Sequence, residues 1–204
     1  MQETAVRFAI CDDDKVYAEK MKALILQTFH LPQPVECVIY LNQEQILKCY
    51  REDKIDIVFM DIEFGDTIGF QVARRLSRQD SQLAVVYMTN YEHYITEAFV
   101  CRPLGFIRKS HAEDDLQIAG QEIRHFIGQK YSRFVFGGGT AVVEVPLYKV
   151  YAVEIYGHDM VILLDDENIR VRDKLMRVED ELEAHDFCKN KPRKNGAFKI
   201  CHSD

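Results

Sequence analysis

Five short apolar runs alternate with segments of helical spacing over residues 6–131, and this alternation restricts the possible folds more than any other feature. The third run is short and ends in a carboxylate, which favours a buried parallel strand over a helix. Strands that alternate with helices form a parallel sheet with helices on both faces. The predicted strands are Val6–Cys11, Val35–Leu41, Ile55–Asp61, Leu83–Met88 and Phe106–Arg108, and the predicted helices include Lys15–Phe29, Phe70–Leu76, Tyr91–Val100 and Leu116–Tyr131.

Charged and hydroxyl side chains stand at the carboxyl ends of four of these strands. Asp12 and Asp13 follow the first strand, and Asp61 ends the third. Thr89 follows the fourth strand, and Lys109 follows the fifth. Ligands of open α/β sheets bind outside the carboxyl ends of the strands. We therefore expect three carboxylates, one hydroxyl and one ammonium group on one rim of the sheet.

This set of groups is suited to phosphoryl transfer. Three crowded carboxylates repel one another and need a cation, and oxygen ligands with room for water suit Mg²⁺ better than Zn²⁺. Phosphoryl transfer needs mainly in-line positioning and neutralised oxygens, which Mg²⁺, Lys109 and Thr89 can supply. We therefore interpret Asp61 as a nucleophile that forms an acyl phosphate.

Residues 5–131 resemble the receiver domain of bacterial two-component response regulators, and the strand-end residues named above carry the resemblance. The resemblance implies a flavodoxin-like (βα)5 fold with strand order 2-1-3-4-5, and it implies Asp61 as the acceptor of phosphate from a sensor histidine kinase. The implied Mg²⁺ ligands are Asp13 directly, Asp12 mostly through water, Asp61 itself and the main-chain oxygen of Glu63.

Two positions depart from the receiver pattern. Receivers usually have proline after the lysine, where this chain has Ser110, so we expect a less rigid loop around Lys109. Phe106 stands where many receivers have a tyrosine switch. The resemblance implies that Phe106 swings inward when Thr89 moves toward the phosphoryl group, without a hydroxyl of its own.

Each of these residues also has a simpler interpretation. Asp12 or Asp14 can cap the following helix, Thr89 can be an ordinary strand-end residue, and Lys109 can be a solvated charge, so only their convergence indicates a site. A haloacid-dehalogenase-type phosphatase also uses an aspartate after a strand, but it needs a second aspartate two residues later, where this chain has Glu63. We expect no turnover of an external substrate.

After Tyr131 the pattern changes to short strands and turns, which predicts a second, mainly β domain. The stretches Pro146–Val150 and Val153–His158, and a helix leading into Asp186–Cys188, resemble the first part of the LytTR DNA-binding domain. DNA-binding domains of this mainly β type contact DNA with loops and strand ends rather than with a recognition helix. The resemblance implies that His158 lies in a loop that enters a DNA groove, although a histidine after glycine is also an ordinary turn residue.

The C-terminal segment departs from the LytTR pattern. After Lys189 the chain is basic and stops at Asp204, where that family would continue into further strands. We therefore expect an incomplete LytTR-type domain with an apolar edge, followed by a disordered tail that can at most contact phosphates. The predicted divisions are residues 1–130 for the receiver, 131–188 for the partial DNA-binding domain and 189–204 for the tail.

Composition narrows the location and the class of protein. The sequence has neither an apolar stretch of about 18 residues nor a basic, apolar leader, so we expect no membrane association. The six cysteines are scattered, which is typical of reduced thiols in the cytoplasm. The net charge of -7 argues against non-specific coating of nucleic acid but not against a local basic face.

Together these patterns predict a response regulator that a sensor histidine kinase phosphorylates on Asp61. Phosphorylation is expected to pair two receivers as a homodimer and so to place DNA-binding modules on adjacent half-sites. The alternative is a truncated receiver protein without DNA output, which would act as a phosphate sink or compete for the kinase or for full-length partners.

Overall fold

The computed structural model describes residues 5–80, 82–91, 94, 103–138, 141–156, 159–164, 167–172, 187–189 and 198–202. The chain divides into two units, Met1–His125 and Phe126–Asp204. The predicted division after residue 130 and the observed division after His125 both fall within the helix Ala112–Tyr131. Among the described helices, none combines the length and apolar character needed to cross a membrane.

A five-stranded parallel sheet lies at the centre of the first unit. The strands of this unit are β1 (Val6–Cys11), β2 (Val35–Tyr40), β3 (Ile57–Asp61), β4 (Glu63–Phe64), β5 (Thr67–Ile68), β6 (Ala84–Thr89) and β7 (Gly105–Arg108). The sheet order is β2-β1-β3-β6-β7, and β4 and β5 form a separate two-stranded hairpin. With that hairpin set aside, the predicted order 2-1-3-4-5 is confirmed.

Among the described residues, four α-helices belong to the α/β pattern: α1 (Lys15–Thr28), α2 (Gln43–Cys49), α3 (Gly69–Gln79) and α4 (Ala112–Tyr131). Asp14 caps α1, since its carboxylate accepts hydrogen bonds from the main-chain nitrogens of Val16 and Tyr17 at 2.9 and 3.2 Å. Asn42 caps α2 in the same way, through Gln45. The predicted helix at 91–100 lies mostly outside the described residues.

Strand β3 is buried along its whole length, as its run of apolar residues predicts. Val58 and Met60 pack in a core cluster with Phe70 of α3, while the ring of Phe59 lies 5.7 Å from that of Phe8. Each such buried side chain stabilises the fold by about 1.5–3 kcal/mol. Packing on both faces therefore fixes the position of Asp61 at the end of the strand.

The second unit is built from antiparallel strands. These are β8 (Arg133–Gly138), β9 (Ala141–Pro146), β10 (Val150–Tyr156), β11 (Asp159–Leu164), β12 (Asn168–Arg172), β13 (Phe187–Lys189) and β14 (Phe198–His202). The β8–β9 hairpin forms one sheet, and the other five strands form a second sheet in the order β12-β11-β10-β14-β13. A shared core that includes Phe134, Phe136, Val153 and Ile162 supports the prediction of a mainly β domain.

The C-terminal segment differs from the predicted disordered tail, because residues 198–202 form a strand. Strand β14 pairs with β10 from Ala152–Cys201 to Ile155–Phe198, and it pairs with β13 on its other side. Main-chain hydrogen bonding to both neighbours outweighs the basic composition that suggested disorder. We expected an open edge on this domain, and β14 covers one edge of β10. His158 and the predicted helix that leads into Asp186 lie outside the described residues.

Candidate functional site

The sheet brings the three predicted carboxylates together. Asp12 and Asp13 follow β1, Asp61 ends the adjacent β3, and Cys11 pairs with Met60 in the register between these two strands. One carboxylate oxygen from each of the three aspartates lies within 4.8 Å of the others. Asp12 and Asp61 are buried, whereas Asp13 is exposed.

Lys109 reaches this cluster from the end of β7. Its Nζ lies 2.7 Å from Oδ2 of Asp61 and 2.6 Å from Oδ2 of Asp12. Only 9% of the lysine side chain is exposed, so water screens these ion pairs little. One ammonium group therefore neutralises part of the charge of two buried carboxylates.

Asp61 is held at both oxygens. Oδ2 accepts from Lys109, and Oδ1 accepts a hydrogen bond from the main-chain nitrogen of Glu63 at 3.1 Å. The pKa of Asp61 is raised to about 6, mainly by burial and to a smaller extent by the charge of Asp12, while Lys109 and the hydrogen bond from Glu63 oppose the shift. The carboxylate is therefore mostly ionised near neutral pH and remains basic enough to be a nucleophile.

Asp12 links the site to the start of α1. Its Oδ1 accepts a hydrogen bond from the main-chain nitrogen of Asp14 at 3.0 Å, and Oδ2 pairs with Lys109. Burial raises the pKa of Asp12, although the hydrogen bond from Lys109 opposes the shift. Burial lowers the pKa of Lys109, but its bonds to Asp12 and Asp61 outweigh that effect, and the net pKa is raised. Lys109 is therefore a permanent cation here.

Thr89 and Phe106 stand on the two strands beyond β3. Thr89 ends β6 and is fully buried, and its Oγ1 accepts a hydrogen bond from the main-chain nitrogen of Tyr91 at 3.1 Å. Phe106 pairs with Tyr87 in the β6–β7 register and packs, half-buried, against the core cluster that contains Tyr87. Both residues thus stand where the sequence predicted, while their roles in switching stay a prediction.

The loop after Asp61 contains a contact that sequence reasoning missed. The main-chain nitrogen of Gly69 donates to the carbonyl oxygen of Ile62 at 2.7 Å. A Cβ at Gly69 would lie 2.0 Å from the carbonyl oxygen of Asp61, so only glycine fits there. The sequence signal was a glycine at the start of a helix shortly after the predicted nucleophile.

Tyr17, on the first turn of α1, is a second neighbour that sequence reasoning missed. The Lys109 Nζ lies 4.7 Å from the centre of its ring, within the range of a cation–π contact. Its hydroxyl oxygen is buried, and within the described part of the chain it has no hydrogen-bond partner. The strand pattern could not indicate this residue, because Tyr17 lies on a helix and not at a strand end.

The donor set fits a hard divalent cation. All three clustered side chains are carboxylates, and carboxylate and carbonyl oxygens with room for water are the ligands that Mg²⁺ prefers. The side chain of Glu63 is exposed. Its main-chain oxygen stays a predicted ligand.

Residues 8–120 match the response regulator receiver domain family. The match covers more than half of the chain, and the chain therefore belongs to this family. It agrees with the α/β fold, the strand order and the aspartates at the carboxyl ends of β1 and β3.

The relatives extend the comparison beyond this domain. The sensory transduction protein LytT of Oceanobacillus iheyensis is 25% identical over 130 residues, which cover 63% of this chain and 52% of that protein. The LytT protein of Bacillus subtilis is 25% identical over 194 residues, which cover 89% of this chain and 78% of that protein. The match thus spans about half the length of the first relative, whereas the second relative is similar across both units.

A solved structure supports the fold of the first unit. A two-component response regulator of the LuxR family from Aurantimonas sp. SI85-9A1 has a TM-score of 0.52 and 22% identity, and the match covers 61% of this chain and 87% of that chain. At this identity the likeness bears on the fold alone.

Proposed function

We propose that this protein is the response regulator of a two-component phosphorelay and that a sensor histidine kinase phosphorylates Asp61. The observation that carries the proposal is the buried Asp61 carboxylate, which lies 2.7 Å from Lys109 and beside Asp12 and Asp13 at the carboxyl end of the sheet. The names of the LytT relatives, which are sensory transduction proteins, support the same function.

In the proposed reaction an Asp61 oxygen attacks the phosphorus of a phosphohistidine. A P–O bond to the carboxylate forms as the P–N bond to the imidazole breaks, and the bonding electrons leave with the imidazole nitrogen. The Lys109 ammonium then neutralises one phosphoryl oxygen. The Thr89 hydroxyl oxygen accepts from Tyr91, so its hydrogen can be donated to another phosphoryl oxygen.

The metal proposed for this reaction is Mg²⁺. Asp12, Asp13 and Asp61, with the main-chain oxygen of Glu63, would hold the ion, and bound Mg²⁺ supplies charge neutralisation to a phosphoryl oxygen. The reaction ends at the phosphorylated protein. We propose that the protein does not turn over an external substrate.

The proposed output is control of transcription. Movement of Thr89 and Phe106 would alter the β6–β7 side of the receiver, favour a homodimer and bring two copies of the second unit to DNA. Similarity to the Bacillus subtilis LytT protein over 89% of the chain supports an output carried by the second unit. His158 is the residue that we propose for the DNA-contacting loop.

Labelling with acetyl phosphate and Mg²⁺ tests the proposed site. The wild-type chain should acquire one acid-stable, hydroxylamine-sensitive phosphoryl group, and Asp61→Asn should acquire none. Asp66→Asn is the matched control, because Asp66 is exposed in the nearby β4–β5 turn. Labelling of Asp61→Asn at the wild-type level would refute the assignment.

The DNA output needs a separate test. Phosphorylated protein should bind promoter DNA in the presence of excess non-specific competitor and at physiological salt, since non-specific contacts weaken steeply as salt rises. His158→Ala should weaken this binding and leave phosphorylation unchanged. Labelling without any salt-resistant DNA binding would favour a receiver without DNA output.

A further inference from the structure

Tyr17 is placed beside the phosphoacceptor site by the cap of α1. Its main-chain nitrogen donates to the Asp14 carboxylate at 3.2 Å, and the main-chain nitrogen of Asp14 donates to Asp12 at 3.0 Å. This chain of bonds connects the first turn of α1 directly to the acidic cluster. The position of the Tyr17 main chain is therefore tied to the acidic cluster.

The ring of Tyr17 contacts the lysine that holds Asp61. Lys109 Nζ lies 4.7 Å from the ring centre, 2.7 Å from Asp61 and 2.6 Å from Asp12. The ammonium is thus shared by two carboxylates and one aromatic face. Burial raises the pKa of the Tyr17 hydroxyl, and the negative charges of Asp12 and Asp61 raise it further, so the hydroxyl keeps its proton and remains a donor.

The hydroxyl group itself is the unusual feature. It is buried, and among the residues that the structure describes nothing accepts its hydrogen bond. Folded proteins rarely bury a donor without supplying an acceptor. An anionic group added to Asp61 would bring new acceptor oxygens close to Lys109, whose Nζ lies 2.7 Å from Asp61 and 4.7 Å from the centre of the Tyr17 ring.

We propose that the Tyr17 hydroxyl donates a hydrogen bond to the phosphoryl group on Asp61, which makes Tyr17 a further phosphoryl-contacting residue of this receiver. The inference rests on the proposed function of Asp61 as the phosphoacceptor. In the unphosphorylated protein the described residues offer this hydroxyl no acceptor, so it forms no stabilising hydrogen bond with them. In the phosphorylated protein it adds a third donor to those of Lys109 and Thr89.

The test compares Tyr17→Phe with wild type by using beryllofluoride, a non-covalent mimic of the phosphoryl group, in the presence of Mg²⁺. The variant keeps the ring against Lys109 and loses only the hydroxyl. A hydrogen bond to a charged acceptor predicts beryllofluoride binding weaker by on the order of 10-fold. Tyr148→Phe is the control, since it removes an exposed tyrosine hydroxyl of the second unit, and its affinity should equal that of wild type.

A second measurement separates this function from a structural one. The melting temperature of unphosphorylated, Mg²⁺-free Tyr17→Phe should equal or exceed that of wild type, because a buried unpaired hydroxyl is removed. A lower melting temperature, or unchanged beryllofluoride affinity, would overturn the proposal. Wild-type protein that is neither phosphorylated nor bound by beryllofluoride would overturn the phosphoacceptor function as well, so the two failures are distinguishable.

Discussion

Replacing Gly69 with alanine tests how closely the α3 terminus supports Asp61, the proposed phosphoacceptor. The added Cβ would lie 2.0 Å from the carbonyl oxygen of Asp61 and 3.0 Å from Cγ of Met60. Real Cβ atoms essentially never approach other atoms more closely than 3.0 Å, so the two backbones must separate by about 1 Å. Neither β3 nor α3 can move easily, because β3 is hydrogen-bonded on both sides and α3 is anchored by buried Phe70 and Leu76.

The expected loss of stability follows from this clash. Overpacking of a tight site costs about 1–3 kcal/mol, and weakening the bond from Gly69 to Ile62 costs about 1 kcal/mol more. The greater helix propensity of alanine returns at most about 1 kcal/mol. We therefore expect Gly69→Ala to be destabilised by about 1–4 kcal/mol, which lowers the melting temperature by roughly 3–16 °C for a unit of this size.

The same displacement should also slow phosphorylation, because a shift of about 1 Å at a reacting group can cost on the order of 100-fold in rate. Thermal unfolding and initial rates of labelling with acetyl phosphate measure the two effects. Gly128→Ala is the matched control, since its Cβ would meet nothing within 4 Å, and it should be as stable as wild type or slightly more stable. If Gly69→Ala melts and is labelled as wild type does, the α3 terminus does not hold Asp61 in place.

Three further predictions concern the charged groups. Lys109→Met leaves Asp12 and Asp61 buried without their cation, so we expect a loss of about 3 kcal/mol without Mg²⁺ and a larger stabilisation by added Mg²⁺ than in wild type, measured by urea denaturation. The Asp61 carboxyl, followed by NMR without metal, should titrate near pH 6, and Mg²⁺ should move its titration to lower pH; an unchanged midpoint would contradict its proposed function as a ligand. Hydrogen bonds from Arg108 lower the pKa of Asp115, so the stability that this carboxylate contributes is present above its ordinary titration range and is lost as pH falls through its lowered pKa. Asp115→Asn should therefore cost about 1.5–3 kcal/mol at pH 7 and progressively less in acid, whereas a pH-independent difference would show that the charge does not matter.

The positions of the strand ends could be predicted from sequence because each strand is an apolar run with polar residues at its exit. That pattern placed Asp12, Asp13, Asp61, Thr89 and Lys109 at one end of a parallel sheet, and the structure brings the three aspartates and the lysine into contact range. The strand order itself followed from the resemblance to receivers, because an alternating pattern alone is compatible with several orders.

Contacts that depend on how closely two elements approach, or on the direction of a side chain, could not be predicted from the hydropathy pattern. Gly69 is required by the approach of its α-carbon to the carbonyl oxygen of Asp61, and periodicity does not report such a distance. Tyr17 reaches Lys109 from a different element, and the hydropathy of α1 does not reveal which side chain faces the site.

The C-terminal strand was missed for a different reason. Strand β14 is stabilised by pairing with β10, which lies more than 40 residues earlier in the chain, and with β13. The segment between β13 and β14 is basic and contains proline and glycine, a composition that is typical of a disordered tail. Long-range main-chain pairing leaves only a weak local signal in so short a strand.

Locating the phosphoryl group tests whether Asp61 is the phosphoacceptor. Wild-type protein is incubated with acetyl phosphate and Mg²⁺, treated with sodium borohydride, which reduces an acyl phosphate to an alcohol, and digested for mass spectrometry. We expect homoserine at position 61, with no homoserine in Asp61→Asn or in protein kept without the phosphodonor. Reduction at another carboxylate, such as Asp12 or Asp13, or phosphate retained on a serine, threonine or histidine, would contradict the claim that Asp61 is the phosphoacceptor.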